Sequence, residues 1–536
     1  MNLNRRDCLT GALALSVASL GKDALAQSRE ATLRQVMGGN VNTLDPTVPG
    51  ASRESAGMSM SIYDRLITFG RKQVNGNWVF DQSVVVPELA ERVETSADRR
   101  KITLHIRSNA TWHDGTPVTA EDIKWSLDRC VSAKSLAPPQ FQSGSMYKPE
   151  QFRIAGPRVV EILLDETNRL AIGNLGLPYA IMINSKLAKK HATADDPWAL
   201  KWLQANAAGS GAYMVESFRP GEAVTLRRNP NWKSGPNGKP AHFERVICQS
   251  VPEASTRANL VERGDADIAL DLQVSDIAAV RARDVAKVVS NTQTNGFTHI
   301  SFNTQVAPFN NVKVRQAFAA ALPYNEMFRA ALFGRGQPLF GASWSGSPPS
   351  PDFPAPMPNH TDIARAKALL VEAGYPNGLD VTFNFALSYA AIAEPMAALM
   401  KESLAKIGVN LTIQKLPDTQ LSTLQSEKKL SFYMDTGGAW LSATYYFFWV
   451  YFTRAQRWNL ANWDNPRVLE LVNKARTETN QAAYEAYCKE MISIMAAETP
   501  LVLAFQANVD AVMAKRIDGY TYHFHRQLDY RDLRRV

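Results

Sequence analysis

A mixed α/β fold follows from three features of the 536-residue sequence. Segments whose apolar residues recur with helical spacing alternate along the chain with segments of period two. Two helix-like segments end at a glycine and run straight into a strand-like one. These are Ser255 to Arg263, stopped by Gly264 before Asp267-Ile268-Ala269-Leu270, and the Met396, Met400, Leu404, Ile407 face, stopped by Gly408 before Val409 to Ile413. With 45% hydrophobic residues over this length the chain can bury more than one core, so two or three domains are expected.

The first element is not part of the mature fold. Arg5-Arg6 precede an apolar run from Leu9 to Gly21, and Ala24-Leu25-Ala26 forms a small-x-small cleavage site, the pattern of an export signal cut after Ala26. The arginine pair, the weakly apolar core and Lys22 favour the twin-arginine route, with a Sec signal as the other reading. Removing it takes away three basic and two acidic side chains, and the net charge falls from +8 to +7. That charge is dilute, and no Lys/Arg stripe interleaves with aromatic residues, so nucleic acid is not an expected partner. Cys130, Cys248 and Cys488 lie far apart in regular segments and read as buried free thiols.

Lys101 to Arg107 alternates polar and apolar residues as a half-buried strand, and Arg158 to Asp165 is a second candidate. In "TWHDGTPVTAEDIKWSLDR", Asp114-Gly115 marks a turn. Thr119 and Asp122 then form a capping pair, and Ile123, Leu127 and Val131 share one face of the helix that follows. A further helix spans about Asp362 to Ala373 and stops at Gly374. "GSPPSPDFPAPMP", residues 346 to 358, holds six prolines and reads as a loop, as does the turn-rich segment 229 to 240. "TGGAWLSATYYFFWVYFT", Thr436 to Thr453, packs eight aromatic rings into eighteen positions without a charge. Gly437, Gly438, Ser442 and Thr444 interrupt it, and Tyr and Trp prefer interfaces to hydrocarbon, so it reads as a surface for something wet and not as a membrane span.

The sequence carries no recognisable catalytic constellation: it has no GxSxG, phosphate loop, HExxH or GxGxxG after a strand. His113-Asp114 reads as a turn. His523 and His525 share one strand face but lack a third ligand, so no metal and no cofactor are expected.

Several stretches in one order resemble the bacterial extracellular solute-binding proteins of the dipeptide, oligopeptide and nickel type that serve ABC importers. They are "LDPTV", "SIYDRLI", "PELAERVETSADRRKITLHIRSNATWHDGTPVTAEDIKWSLDR", "GSGAYMVESFRPGEAVTLRRNPNW", "ASTRANLVERGDADIAL", "HISFNTQVAPFNNVKVRQAFAAAL" and "ARAKALLVEAGYPNG", spread over the mature chain. The resemblance implies a type II periplasmic-binding-protein clamshell with an extra inserted subdomain, acting as a monomer on a small-molecule ligand. It implies ABC permease subunits with their ATPase as partners, and no catalysis. An exported hydrolase or metal-dependent enzyme, and a ligand presenter to a chemoreceptor, are the alternatives.

The implied division is 27–62, 205–295 and 503–536 for the first lobe, 63–204 for the inserted subdomain and 296–502 for the second lobe. The chain would cross outward near Asn295 to Phe302 and return near Pro500 to Asn508. The family's cleft-lining Trp falls on Trp440, which puts Trp440, Ser442, Tyr445 and Tyr446 towards the cleft and Phe447, Phe448, Trp449 and Phe452 mostly inside. Gly39, Asn40 and Asn42 in "MGGNVNTLDP", and Tyr213 in "GSGAY", are further lining candidates. Peptide-binding members carry an Asp three residues after that Trp to hold the ligand's α-ammonium; here the position is Ala443.

Overall fold

The computed structural model describes residues 29–233, 240–341, 357–453, 458–524 and 528–536. The export signal, His525 and most of the proline-rich segment lie outside them. Among the described residues no helix is long and apolar enough to cross a membrane.

One β-ladder runs through the whole molecule because a single long strand, Leu501–Met513, belongs to two sheets. Its first half pairs antiparallel with Gly296–Phe302 and Gly336–Pro338. Its second half pairs antiparallel with Lys287–Thr292 and Ile268–Leu270. On one side, Thr32–Met37 lies parallel to both Ile268–Leu270 and Arg245–Ser250, which continues through Ala223–Arg228 to Tyr213–Arg219. On the other side, Gly296–Phe302 pairs with Phe432–Gly438, then Leu379–Ala386, then Val409–Leu416. The backbone therefore passes between the two sheets twice, at 292–296 and within 501–513.

Each sheet has its own core. Leu33, Leu226, Val246 and Met513 anchor one, and Ile300, Phe302, Phe383, Phe432 and Val502 the other. Phe302, Phe309 and Phe432 have ring centroids 5.1–5.3 Å apart, inside the range where aromatic pairs add to simple burial.

A four-stranded antiparallel sheet (Ala90–Thr95, Lys101–Ile106, Val159–Leu163, Phe152–Gly156) carries helix Ala120–Ser132 on one face. The Thr119–Asp122 capping box forms, and Asp122 is held further by Trp112 Nε1–H at 3.2 Å and the Ser185 amide at 3.1 Å. Hairpin Ile67–Val74/Asn77–Pro87 is extended by Thr521–Tyr522 from the chain's C-terminal end.

Buried charge joins these parts. Arg129 on the capped helix ion-pairs with Asp45 of the 43–47 loop, and Glu88 takes both Arg65 and Arg531. Removing one member of such a pair leaves a lone buried charge, which costs about 3–5 kcal/mol.

The expected helices at 255–263, 362–373 and around 396–404 are present as Ala254–Glu262, Ile363–Glu372 and Ala390–Ala405. Gly264, Gly374 and Gly408 all have positive φ just past their ends. Cys130, Cys248 and Cys488 are buried and unpaired. In the His113-Asp114-Gly115 turn, Asp114 caps Thr116 at 2.9 Å while the His113 ring turns away to the Gly211 carbonyl at 3.1 Å. The "YTYHFHR" segment gives a strand of only Thr521–Tyr522 among the described residues.

Candidate functional site between the sheets

In open α/β sheets ligands sit beyond the carboxyl ends of the parallel strands. Here those ends are Met37 and Leu270, and the groups gathered there come from four segments. Helix Arg53–Ile62 presents Arg53 and Glu54 at its N-terminus. Gly39 packs under Glu54 so closely that a Cβ would stand 2.2 Å from its Oε1, so glycine is what admits that carboxylate. Glu54 has its pKa raised by burial and by Asp271, which itself accepts the Gly38 N–H at 3.0 Å.

Arg53 lies 4.5 Å over the Phe524 ring and donates to the Phe524 carbonyl at 3.3 Å. Phe524 in turn meets Trp440, ring centroids 6.0 Å apart, and Trp440 also meets Tyr179 edge-on at 5.1 Å. Arg53, Phe524, Trp440 and Tyr179 thus form one continuous row drawn from helix 53–62, the C-terminal segment, the segment after strand Phe432–Gly438 and the segment around 179.

Across from Arg53 the second sheet presents Tyr389, hydrogen-bonded to Thr436 at 2.8 Å, and Asp435. Burial raises the Tyr389 pKa, Asp435 raises it further and Arg53 lowers it, so the guanidinium is within electrostatic reach of the facing wall. Asp435 is itself raised by burial, against bonds from the Thr436 amide and Gln425.

A cavity of about 730 Å³ opens beside this row, where the 67–87 hairpin, the crossing segment 290–294, Asn508 and Ser442 meet. Its polar lining is mostly neutral: Asn75, Gln82, Asn291, Thr292, Asn508 and Ser442, with Phe80 and Tyr522 supplying ring faces. Its two charges, Lys72 and Asp81, neutralise each other at 3.7 Å. The Asn291 Nδ2 and the Tyr522 hydroxyl are buried without hydrogen-bond partners. Hydrogen bonds and ring contacts are what such a lining supplies. Among the described residues no three His, Cys, Asp or Glu side chains group as a metal set.

The expected lining residues separate into three groups. Trp440 and Ser442 lie in the region just described, Trp440 half-buried within the aromatic row and Ser442 on the cavity. Gly39 supports Glu54, and exposed Asn40 contributes its carbonyl to the Ser52 hydroxyl at 2.7 Å.

The remaining four have their polar groups engaged elsewhere in the fold. Asn42 is consumed by its own loop, donating to the Gly50 carbonyl at 2.8 Å and accepting from the Ser52 amide at 2.9 Å and the Ser55 hydroxyl at 3.0 Å. Tyr213 is fully buried with its hydroxyl on the Phe243 carbonyl at 3.2 Å, and Gly209 and Gly211 beside it press against Ile62 at the end of helix 53–62. Tyr445 and Tyr446 sit on helix Thr444–Phe452, which packs on the inserted subdomain. Their hydroxyls donate to Asn168 at 3.1 Å and Gln140 at 2.8 Å. Phe69, Leu170 and Leu177 share one apolar cluster with that helix, so the aromatic density there belongs to a packing seam.

Sequence reasoning missed Arg53, Glu54, Gln82, Tyr389 and Phe524. Phe524 alone had a visible trace, in the aromatic alternation of "YTYHFHR".

The profile of the bacterial extracellular solute-binding proteins, family 5 middle region, matches residues 84–459. The probable D,D-dipeptide-binding periplasmic protein of Escherichia coli K12 is 27% identical over 490 residues, covering 90% of this chain and 89% of its own. Among solved structures, the agropinic acid complex of the binding protein AgaA from A. tumefaciens R10 superposes with a TM-score of 0.75 at 23% identity, over 94% of this chain and 99% of that one. A dipeptide-binding protein from Pseudoalteromonas sp. SM9913 holding Met-Leu gives 0.77 at 21% identity, over 94% and 100%.

Proposed function

Because this chain belongs to the bacterial extracellular solute-binding proteins of family 5, whose members bind small molecules for ABC importers, we propose that it captures its solute between two lobes. The observation that carries this reading is the double crossing at 292–296 and 501–513, with a cavity of about 730 Å³ beside it that is lined by the 67–87 hairpin, by 290–294 and Asn508, and by Ser442 from the segment after strand Phe432–Gly438. Two backbone connections between the lobes give hinge closure its axis, and a ligand favours the closed form only by its extra affinity for it.

On this reading residues 27–62, 205–295 and 503–536 form the first lobe, 63–204 the inserted subdomain and 296–502 the second lobe. The protein is exported through the signal ending at Ala26, works as a monomer in the periplasm and hands its solute to the permease subunits and their ATPase. It performs no covalent step.

The solute is a small polar molecule that does not depend on a free α-ammonium. Ala443, half-buried at the N-cap of helix 444–452, offers no carboxylate, and a buried ammonium without a partner costs several kcal/mol. Peptide-like molecules, modified peptides, opine- or oligosaccharide-like molecules and chelates are the candidate classes; the named relatives include binders of a dipeptide and of agropinic acid. Mass spectrometry of whatever copurifies identifies the solute, and small-angle scattering with and without it tests the closure. A smaller radius of gyration with the solute is expected; superimposable profiles would reject the reading. In calorimetry Ala-Ala and Gly-Leu should bind weakly, and tight binding of either would overturn the assignment for Ala443.

A further inference from the structure

The hairpin of the inserted subdomain touches both sides of the double crossing through one strand. Near its start, Asn77 Nδ2 donates to the Ser290 carbonyl on the crossing strand of the first sheet at 2.9 Å. Beside it, Trp78 and Val79 pair with Thr521 and Tyr522. Five residues on, roughly 16 Å along an extended chain, Gln82 reaches the second sheet's cleft segment. Its Nε2 donates to the Trp440 carbonyl at 3.0 Å, and its Oε1 accepts the Ser442 N–H at 2.7 Å.

A carbonyl and an N–H two residues apart on one strand are the pair that the N–H and C=O of a single residue on a parallel neighbouring strand engage. The carboxamide copies that donor–acceptor pair, since it offers an N–H and a C=O side by side in one plane. Both bonds lie at the rim of the cavity, which Gln82 and Ser442 line together.

We propose that Gln82 is the positioning residue by which the inserted subdomain latches the second lobe in its closed place. Swinging that lobe away breaks both bonds at once, so the hairpin acts as a third jaw that adds its hold on the Trp440–Ser442 backbone to the pair of bonds between Asn295 and Ala439. The proposal rests on two-lobed capture, but its test uses ligand-free protein, so the two fail separately.

Hydrogen exchange should show the Ser442 amide at least tenfold less protected in Q82A than in wild type, with a larger radius of gyration and an unchanged melting profile. Q82E supplies the decisive control. At pH 7 its carboxylate can accept from Ser442 but repels the Trp440 carbonyl. At pH 4 its neutral acid offers O–H and C=O where the amide stood, and Ser442 protection should return to within about twofold of wild type at the same pH. Lys72, Asp81 and Tyr522, the titratable groups on the same cavity, are common to both proteins and cancel in that comparison. Unchanged Ser442 protection in Q82A, or no reversal with pH in Q82E, would overturn the latch; should Q82A fail to fold, the reversal in Q82E decides alone.

Discussion

Trp440 has two edge-on neighbours, Tyr179 and Phe524, and stays half-buried, so its indole is held in place without being sealed in. Trp440→Ala should weaken binding of the copurified solute by about 1–3 kcal/mol with little change in folding, and unchanged affinity in calorimetry would remove it from the site. Buried titratable groups give a second prediction at this scale. Asp64, bonded by Trp232 at 2.9 Å and Ser210 at 2.9 Å, is pushed by burial and by Glu88 to about 7. The folded protein therefore holds a proton that the unfolded chain releases near 4, and this group makes stability fall as pH rises from about 4 to 7. His113 acts oppositely. Burial lowers it to about 4, so folding expels a proton and stability rises with pH from about 4 to 6.5. The two slopes, each at most about 1.4 kcal/mol per pH unit, offset one another in the native protein. Asp64→Asn removes the Asp64 slope and leaves every other group in place, so the melting temperature of the variant relative to wild type should climb between pH 4 and 7. A parallel pair of stability curves would refute this.

At the scale of elements, local sequence chemistry is explicit. Thr119 Oγ1 accepts the Asp122 N–H at 3.3 Å and Asp122 accepts the Thr119 N–H at 3.1 Å, so Thr119→Ala should lower the urea midpoint by the equivalent of about 1 kcal/mol. Gly378 and Gly408 start two adjacent parallel strands, each with positive φ, and a Cβ at Gly378 would stand 1.8 Å from the Gly408 carbonyl. Gly378→Ala should cost about 1–3 kcal/mol, read by the same titration. These elements were legible because caps, glycine stops and alternation are properties of neighbouring residues. The aromatic run was not read correctly in full. Its composition announced an apolar contact, yet whether Tyr445 and Tyr446 face a cleft or a partner surface depends on Asn168 and Gln140, some three hundred residues earlier.

The whole molecule is tied by contacts between distant segments. Arg476 pairs with Glu166 at 2.9 Å, Arg169 lies 4.1 Å over Tyr484, and Gln82 holds the Trp440–Ser442 backbone. Charge reversal at Glu166, which turns its contact with Arg476 repulsive and gives up the bond from the Ser145 hydroxyl at 3.0 Å, should enlarge the ligand-free molecule in scattering only modestly. The apolar seam of Leu170, Leu177 and helix 444–452 remains intact, and a fully opened profile would mean that the seam contributes less than its burial implies. The amino-acid sequence by itself determined the alternation of helices and strands, the capped helix, the free buried thiols and the family likeness, since each is written in spacing along one stretch of chain. Tertiary structure decided which side chains remain available at the site. Asn42 and Tyr213 have the right chemistry but give all of it to their surroundings, while Arg53, Gln82 and Phe524 look ordinary until the fold sets them beside Trp440. A side chain's capacity is local, whereas its unsatisfied remainder is fixed only by what the folded chain brings within hydrogen-bonding distance.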